Sequence, residues 1–445
     1  MHFFADVHPS APCCTIAGMV RSQITRSWLL GGIAVCLSLL GNVSSAAPPA
    51  MAPKASVRIL VEPLGFVPPA RFFMPFRVPA VTLDFLDATH LLFTFHIAKL
   101  MRREAGDPKE DQDQTIRALV LTLPAGKIEA EGTWRLHDRD RYLWALGDGY
   151  FLMRKRNTLY IGDKTLTLKD WLHPEGTLAS VQTSPDNSTL VAEFATPDKT
   201  YDEEGNRPLD APTLGDDVTR FPEKQQEYSL LVIDTKGRTA KRGGHLHHAV
   251  TLPMVEGGYL VAQQGKGKLW DVRLASFTDE PRSITSVTST CQPHVQPLSE
   301  QSFLALSCLP FSSDHLADAY DLQGHKLWEQ IWQSRFAWGT FAYSAAGNRF
   351  AYGSIEVNHE LANLDPVDES SILGQPVGVF NVLTGKPDTV LDATPILTAG
   401  ENFALSPDGD KLAILRGGAI EIYDLPPLAP ANAVNEGSKP AQGQP

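Results

Sequence analysis

The sequence predicts an all-β fold, a seven-bladed β-propeller with mostly four antiparallel strands per blade. Three observations carry this. A strand–turn–strand unit recurs along the chain, and repetition at such spacing marks a propeller or a solenoid. Short apolar runs are punctuated by turn residues with almost no helical periodicity, which favours the propeller. Glycine (34) and proline (33) are spread along the 445 residues, above the usual ~12% of a chain, and supply the punctuation.

The elements follow in order. Arg21 and Arg26 precede an uncharged apolar run from Trp28 to Gly41, and small residues follow as far as Ala46 and Ala47. This pattern predicts an export signal over 1–47. The run is shorter than the ~20 residues of a spanning helix, so no transmembrane span is expected in the mature chain. A linker is expected at 48–55, the propeller at 56–425, and a disordered Pro/Ala/Asn/Gly-rich tail at 426–445. Blades are expected to begin near Ala80, Arg141, Thr177, Ala249, His294, Gly339 and Asn402. The last blade runs out after three strands. Ser56 to Val61 would supply its fourth, closing the ring and removing an exposed edge. Two polar inserts, 101–114 and 198–226, would connect the second and third strands of blades one and three and rim a binding face.

The unit is clearest in Phe403-Ala404-Leu405-Ser406-Pro407-Asp408-Gly409, followed by Lys411 to Leu415 and then Ala419 to Leu425. Proline presets the turn, Asp caps it, and Gly takes the left-handed position. Degenerate copies lie at Ser184-Pro185-Asp186-Asn187 and Ser344-Ala345-Ala346-Gly347. Third strands recur as an apolar run ending in Asp or Asn and then Gly, at Asp234, Asp321 and Asn381. The Ser-Pro-Asp-Gly turn resembles that of TolB-like and WD40-like propeller repeats of exported bacterial proteins. Gly324-His325-Lys326-Leu327-Trp328 instead resembles the core of quinoprotein-like repeats. The resemblance implies architecture and says little of function, since propellers host many functions.

Loss of the signal leaves two cysteines, Cys291 and Cys308. An even pair in an exported chain predicts a disulfide. A hairpin turn centred on Ser299 and Glu300 would place the two directly opposite each other on adjacent strands. Export would place the protein in the periplasm or outside the cell.

The net charge of −12 argues against the phosphate-driven binding that dominates nucleic-acid affinity. No Gly-x-Ser-x-Gly elbow and no Gly-rich phosphate loop is present. The most distinctive local feature is His245-Leu246-His247-His248, between blades three and four. Together with His137, Arg141, His173, His294 and Arg335, and with Arg71 at a comparable junction, it suggests a cationic mouth on the central channel. These residues would bind a small ligand or an envelope or extracellular protein, in a non-catalytic binding or scaffold role, with no cofactor expected. The alternative is a lactonase-type propeller hydrolase holding a metal ion there. The same histidines are also consistent with purely structural roles.

Overall fold

The computed structural model describes residues 53–67, 72–73, 81–99, 114–136, 141–173, 176–197, 226–236, 239–246, 252–276, 280–361, 367–397 and 401–428. Seven antiparallel sheets follow one another along the chain. From inner to outer strand, blade one is Val81–Asp87, His90–Ile97, Gln114–Thr122 and Lys127–Leu136. Blade two is Leu143–Gly147, Tyr150–Lys155, Thr158–Asp163 and Leu168–Leu172; blade three is Thr177–Thr183, Thr189–Pro197, Gln226–Asp234 and Thr239–Leu246. Blade four opens on the short Met254–Val255 and continues through Gly258–Gln264, Leu269–Ala275 and Arg282–Thr288. Blade five is His294–Ser299, Ser302–Cys308, His315–Asp321 and Lys326–Trp332. Blade six is Phe336–Tyr343, Arg349–Val357, Pro376–Asn381 and Pro387–Asp392, with Ile372–Gly374 as an extra strand.

Blade seven joins the two ends of the propeller. Its first three strands are Phe403–Leu405, Lys411–Arg416 and Ala419–Asp424, and its outer strand is Val57–Leu60. The register runs from Val57 opposite Ile422 to Leu60 opposite Ala419. The expected closure by the N-terminal strand is therefore present. The expected blade starts lie within a few residues of the observed ones. Both polar inserts fall between second and third strands as expected, and their residues lie outside the described ones apart from the strand-end residues Gln114 and Gln226. A parallel pairing of Phe72–Phe73 with Ile396–Leu397 was not foreseeable from either short segment.

Each blade packs on the next through its own apolar core. In blade one, Leu91, Phe93 and Phe95 join the core shared with blade seven, while Leu92 joins the core shared with blade two. In blade seven, Leu412 and Ile414 face blade six and Ala413 and Leu415 face blade one. Successive side chains of a strand point to opposite faces, and here both faces are covered. That is why these strands read as continuous apolar runs rather than alternating ones. The series continues through Leu152 against Leu190, Val191 against Met254, Val272 against Phe303, and Trp328 against Phe350. Seven interblade cores thus close a seven-membered ring. Each fully buried large apolar side chain contributes about 1.5–3 kcal/mol.

The turn chemistry repeats as the sequence suggests. The Ser406 hydroxyl accepts from Lys411 N at 2.9 Å, and the Asp408 carboxylate accepts from Asp410 N at 3.1 Å. Ser184 and Asp186 do the same for Thr189 N and Ser188 N, at 3.1 and 2.8 Å. The fourth position of the three copies is left-handed throughout: φ is +78° at Gly409, +69° at Gly347 and +58° at Asn187. Asparagine tolerates that region better than other residues with a side chain. The third-strand signature also has a physical basis, since Asp234, Asp321 and Asn381 each accept a backbone N–H two residues on, at 2.9 Å.

Arg349 is fully buried and staples two blades. Its Nε donates to Asp388 Oδ2 at 2.6 Å and its Nη1 to Gly409 O at 2.7 Å, while Nη2 donates to Pro426 O beyond the last strand.

Cys291 and Cys308 form a disulfide with Cα atoms 5.6 Å apart. The expected hairpin register is corrected, however. Ser299 pairs with Ser302, so Glu300 and Gln301 form the turn, and a bulge lies between Pro297 and Ser299. Cys291 precedes the strand that begins at His294, and Thr290 N donates to Cys308 O at 3.2 Å. A bend rather than a ladder position brings the sulfurs together.

Candidate functional site

All seven inner strands start at one mouth of the channel, because the blades share one orientation. Arg141 and Glu401 pair at that mouth, and Asp84, further along the channel, is near enough to feel the charge of Arg141. Arg141 lies just ahead of the inner strand of blade two, Asp84 lies within that of blade one, and Glu401 lies two residues ahead of that of blade seven. Arg141 is held locally by its Nε, which donates to Leu143 O at 3.2 Å, and by the Trp144 ring, 5.6 Å away. The same Nε stands 3.2 Å from Glu401 Oε1. The ion pair therefore reaches from blade two past blade one to blade seven.

Glu401 is unusual in two further ways. Its backbone is left-handed at φ +62°, as it is at six other non-glycine residues among those described, a conformation uncommon for a residue with a long side chain. Its Oε2 is buried without a hydrogen-bond partner among the described residues. Burial, reinforced by Asp84 and opposed by Arg141, raises its carboxyl to about 7. Burial raises Asp84 to about 6, again against Arg141. Asp84 and Glu401 are both partly buried. The side chain of Arg141 is 51% exposed and that of Glu401 17%, so the guanidinium faces the opening.

The surroundings are polar and ordered. The Tyr142 hydroxyl bonds to Thr94 Oγ1 at 2.6 Å, and Thr94 bonds to Thr82 at 2.7 Å. Burial holds the Tyr142 phenol well above its usual value. Across the channel, Gln296 of blade five donates to the Tyr343 hydroxyl of blade six, whose phenol is also raised by burial and feels the charge of Arg141.

Of the residues singled out by sequence, Arg141 joins this cluster. His173, His294 and Arg335 have their partners within their own blades. His173 bonds Thr158 at 3.1 Å beside Asp170. Arg335 pairs with Glu356 at 3.2 Å. His294 stands by Gln296 and His315; burial, with the His315 charge and against the Gln296 hydrogen bond, holds it below its usual value. His245 lies within the outer strand of blade three, opposite Ser229. His137, His247, His248 and Arg71 lie outside the described residues. Among the described residues, no three His, Cys, Asp or Glu side chains are grouped so as to hold a metal ion, and no helix is long and apolar enough to cross a membrane.

Asp84 and Glu401 were missed in the sequence, although a signal existed. Asp84 interrupts the apolar run Val-Thr-Leu-Asp-Phe-Leu, and Glu401 occupies the same class of blade junction as the histidines.

No protein-family model and no curated protein matches the chain. Similar solved structures include an acylaminoacyl peptidase from Pyrococcus horikoshii, with 13% identity and a TM-score of 0.44 over 75% of this chain and 48% of that one. An oligogalacturonate lyase from Vibrio parahaemolyticus gives 11% identity and 0.43 over 78% and 90%. TolB from Acinetobacter baumannii gives 12% and 0.33 over 74% and 76%. The chain spans about half the length of the peptidase. At these values the likenesses assign no activity, and the propeller stands on its own sheets and interblade cores.

Proposed function

We propose that the protein is an exported, non-catalytic propeller that binds a small ligand or the end of a partner protein at the mouth where Arg141 and Glu401 pair near Asp84. The observation that carries this reading is Glu401. Its left-handed backbone holds a carboxylate with one oxygen paired across two blade boundaries and the other buried and unpartnered. A buried acceptor without a donor costs about 1–3 kcal/mol, and such a cost kept at a channel opening suits a binding role. The Cys291–Cys308 disulfide supports export. The rigid ring provides the frame on which mouth and insert loops select a partner.

Thermal-shift measurements on the chain from residue 47, against a panel of small amines, carboxylates, amino acids and sugar acids, test the reading. At least one compound should raise the Tm of the wild type and fail to raise that of the Arg141→Ala/Glu401→Gln double variant. Equal shifts in both proteins would contradict it.

A further inference from the structure

We propose that this mouth recognises a small zwitterion, its ammonium group on the carboxylates of Glu401 and Asp84 and its carboxylate on the terminal edge of the Arg141 guanidinium. The inference rests on the reading of the mouth as a binding site.

The three side chains leave hydrogen-bonding capacity unused. Arg141 is engaged through Nε, by Leu143 O and Glu401 Oε1. Among the described residues no hydrogen bond is made by its Nη1 or Nη2. That edge is a planar fork whose geometry matches a carboxylate bidentately, and half of the side chain is exposed. Glu401 Oε2, by contrast, is an acceptor without a donor. The mouth therefore has spare capacity of both kinds, side by side.

Charge narrows the choice. Fully ionised, the cluster carries two negative charges and one positive. An anion alone would engage Arg141 while lying against two carboxylates. A cation alone would leave the guanidinium edge bare. A ligand bearing both groups engages all three side chains. Because Arg141 contacts Glu401 directly, the ligand's ammonium and carboxylate must be close together. An α-amino acid, with both on one carbon, has that spacing. Burial adds support: both carboxyls hold protons more tightly than usual, as carboxylates short of a cation do.

Isothermal titration calorimetry with the common α-amino acids, with methylamine and acetate as one-sided probes, tests this at pH 7. At least one amino acid should bind about ten-fold or more tighter than either probe. Its binding should release protons, seen as a dependence of the heat on the buffer's ionisation enthalpy. Arg141→Ala should remove about ten-fold of that affinity and weaken methylamine binding by a smaller factor. Glu401→Gln should weaken both, with the Tm of each variant verifying its fold. Binding unchanged in these variants, or methylamine as tight as every amino acid, would overturn the proposal. If other compounds need Arg141 and Glu401 but no amino acid binds, the zwitterion fails and the mouth stands. If no compound needs them, both fail.

Discussion

Glu401 pairs with Arg141 and yet holds its proton up to about 7, so burial outweighs the ion pair. The consequence for stability has a definite sign. A carboxyl whose folded-state pKa is raised favours folding below its unfolded pKa and loses that contribution as pH rises through the folded value. Stability should therefore fall between about pH 4.5 and 7 through Glu401, and in an overlapping range up to about 6 through Asp84. Urea denaturation of Glu401→Gln across that range should show a flatter profile than the wild type, and a gain at pH 8. A second prediction concerns Arg349. Removing one partner of a buried ion pair costs about 3–5 kcal/mol. Arg349→Ala strands Asp388 and the carbonyls of Gly409 and Pro426, and chemical denaturation should show a loss of that order. Neither arginine site was fully legible in the sequence. Arg141 stood at a blade junction and could be picked out. Arg349 follows an ordinary Ser-x-x-Gly turn, and its partners lie 39 to 77 residues away.

At the scale of the element, the blade turn was legible because its chemistry is local. Ser, Asp and a left-handed fourth residue close on themselves within six positions, so the pattern survives wherever the tertiary context allows it. Gly409→Ala should cost at least about 1–2 kcal/mol from the left-handed backbone alone, and a Cβ there would stand 2.3 Å from Asn348 Oδ1. Asn187→Gly should be near neutral or slightly stabilising at its φ of +58°, and thermal denaturation of the pair measures the contrast. The hairpin beside the disulfide shows the limit. One bulge shifts the register between Pro297 and Ser299, and no residue type announces it. The sulfurs still meet because the bend at Cys291 absorbs the shift. A thiol assay on the chain from residue 47 should find no free thiol before reduction and two after; two before reduction would refute the bridge.

For the whole molecule, the seven interblade cores and the N-terminal strand make one closed object. Val57–Leu60 covers the open edge of Ala419–Asp424, and an uncovered edge is a template for association. Deleting residues up to Leu60 should lower the Tm and produce concentration-dependent oligomers in sedimentation analysis, with no change expected if closure were ornamental. Ring number could be read from repeats in four blades and from spacing in the other three, and closure from the strand missing from the last blade. The mouth could not, because its three charges come from positions 84, 141 and 401 and meet only once the ring has closed. The mouth holds a carboxylate short of partners. That shortage is tested most directly by carbon-13 NMR of the Glu401 carboxyl, assigned with Glu401→Gln and titrated from acid to alkaline pH. The predicted midpoint is about 7, rising further in Arg141→Ala. A midpoint in the ordinary carboxylate range near 4.5, unmoved by loss of Arg141, would contradict it.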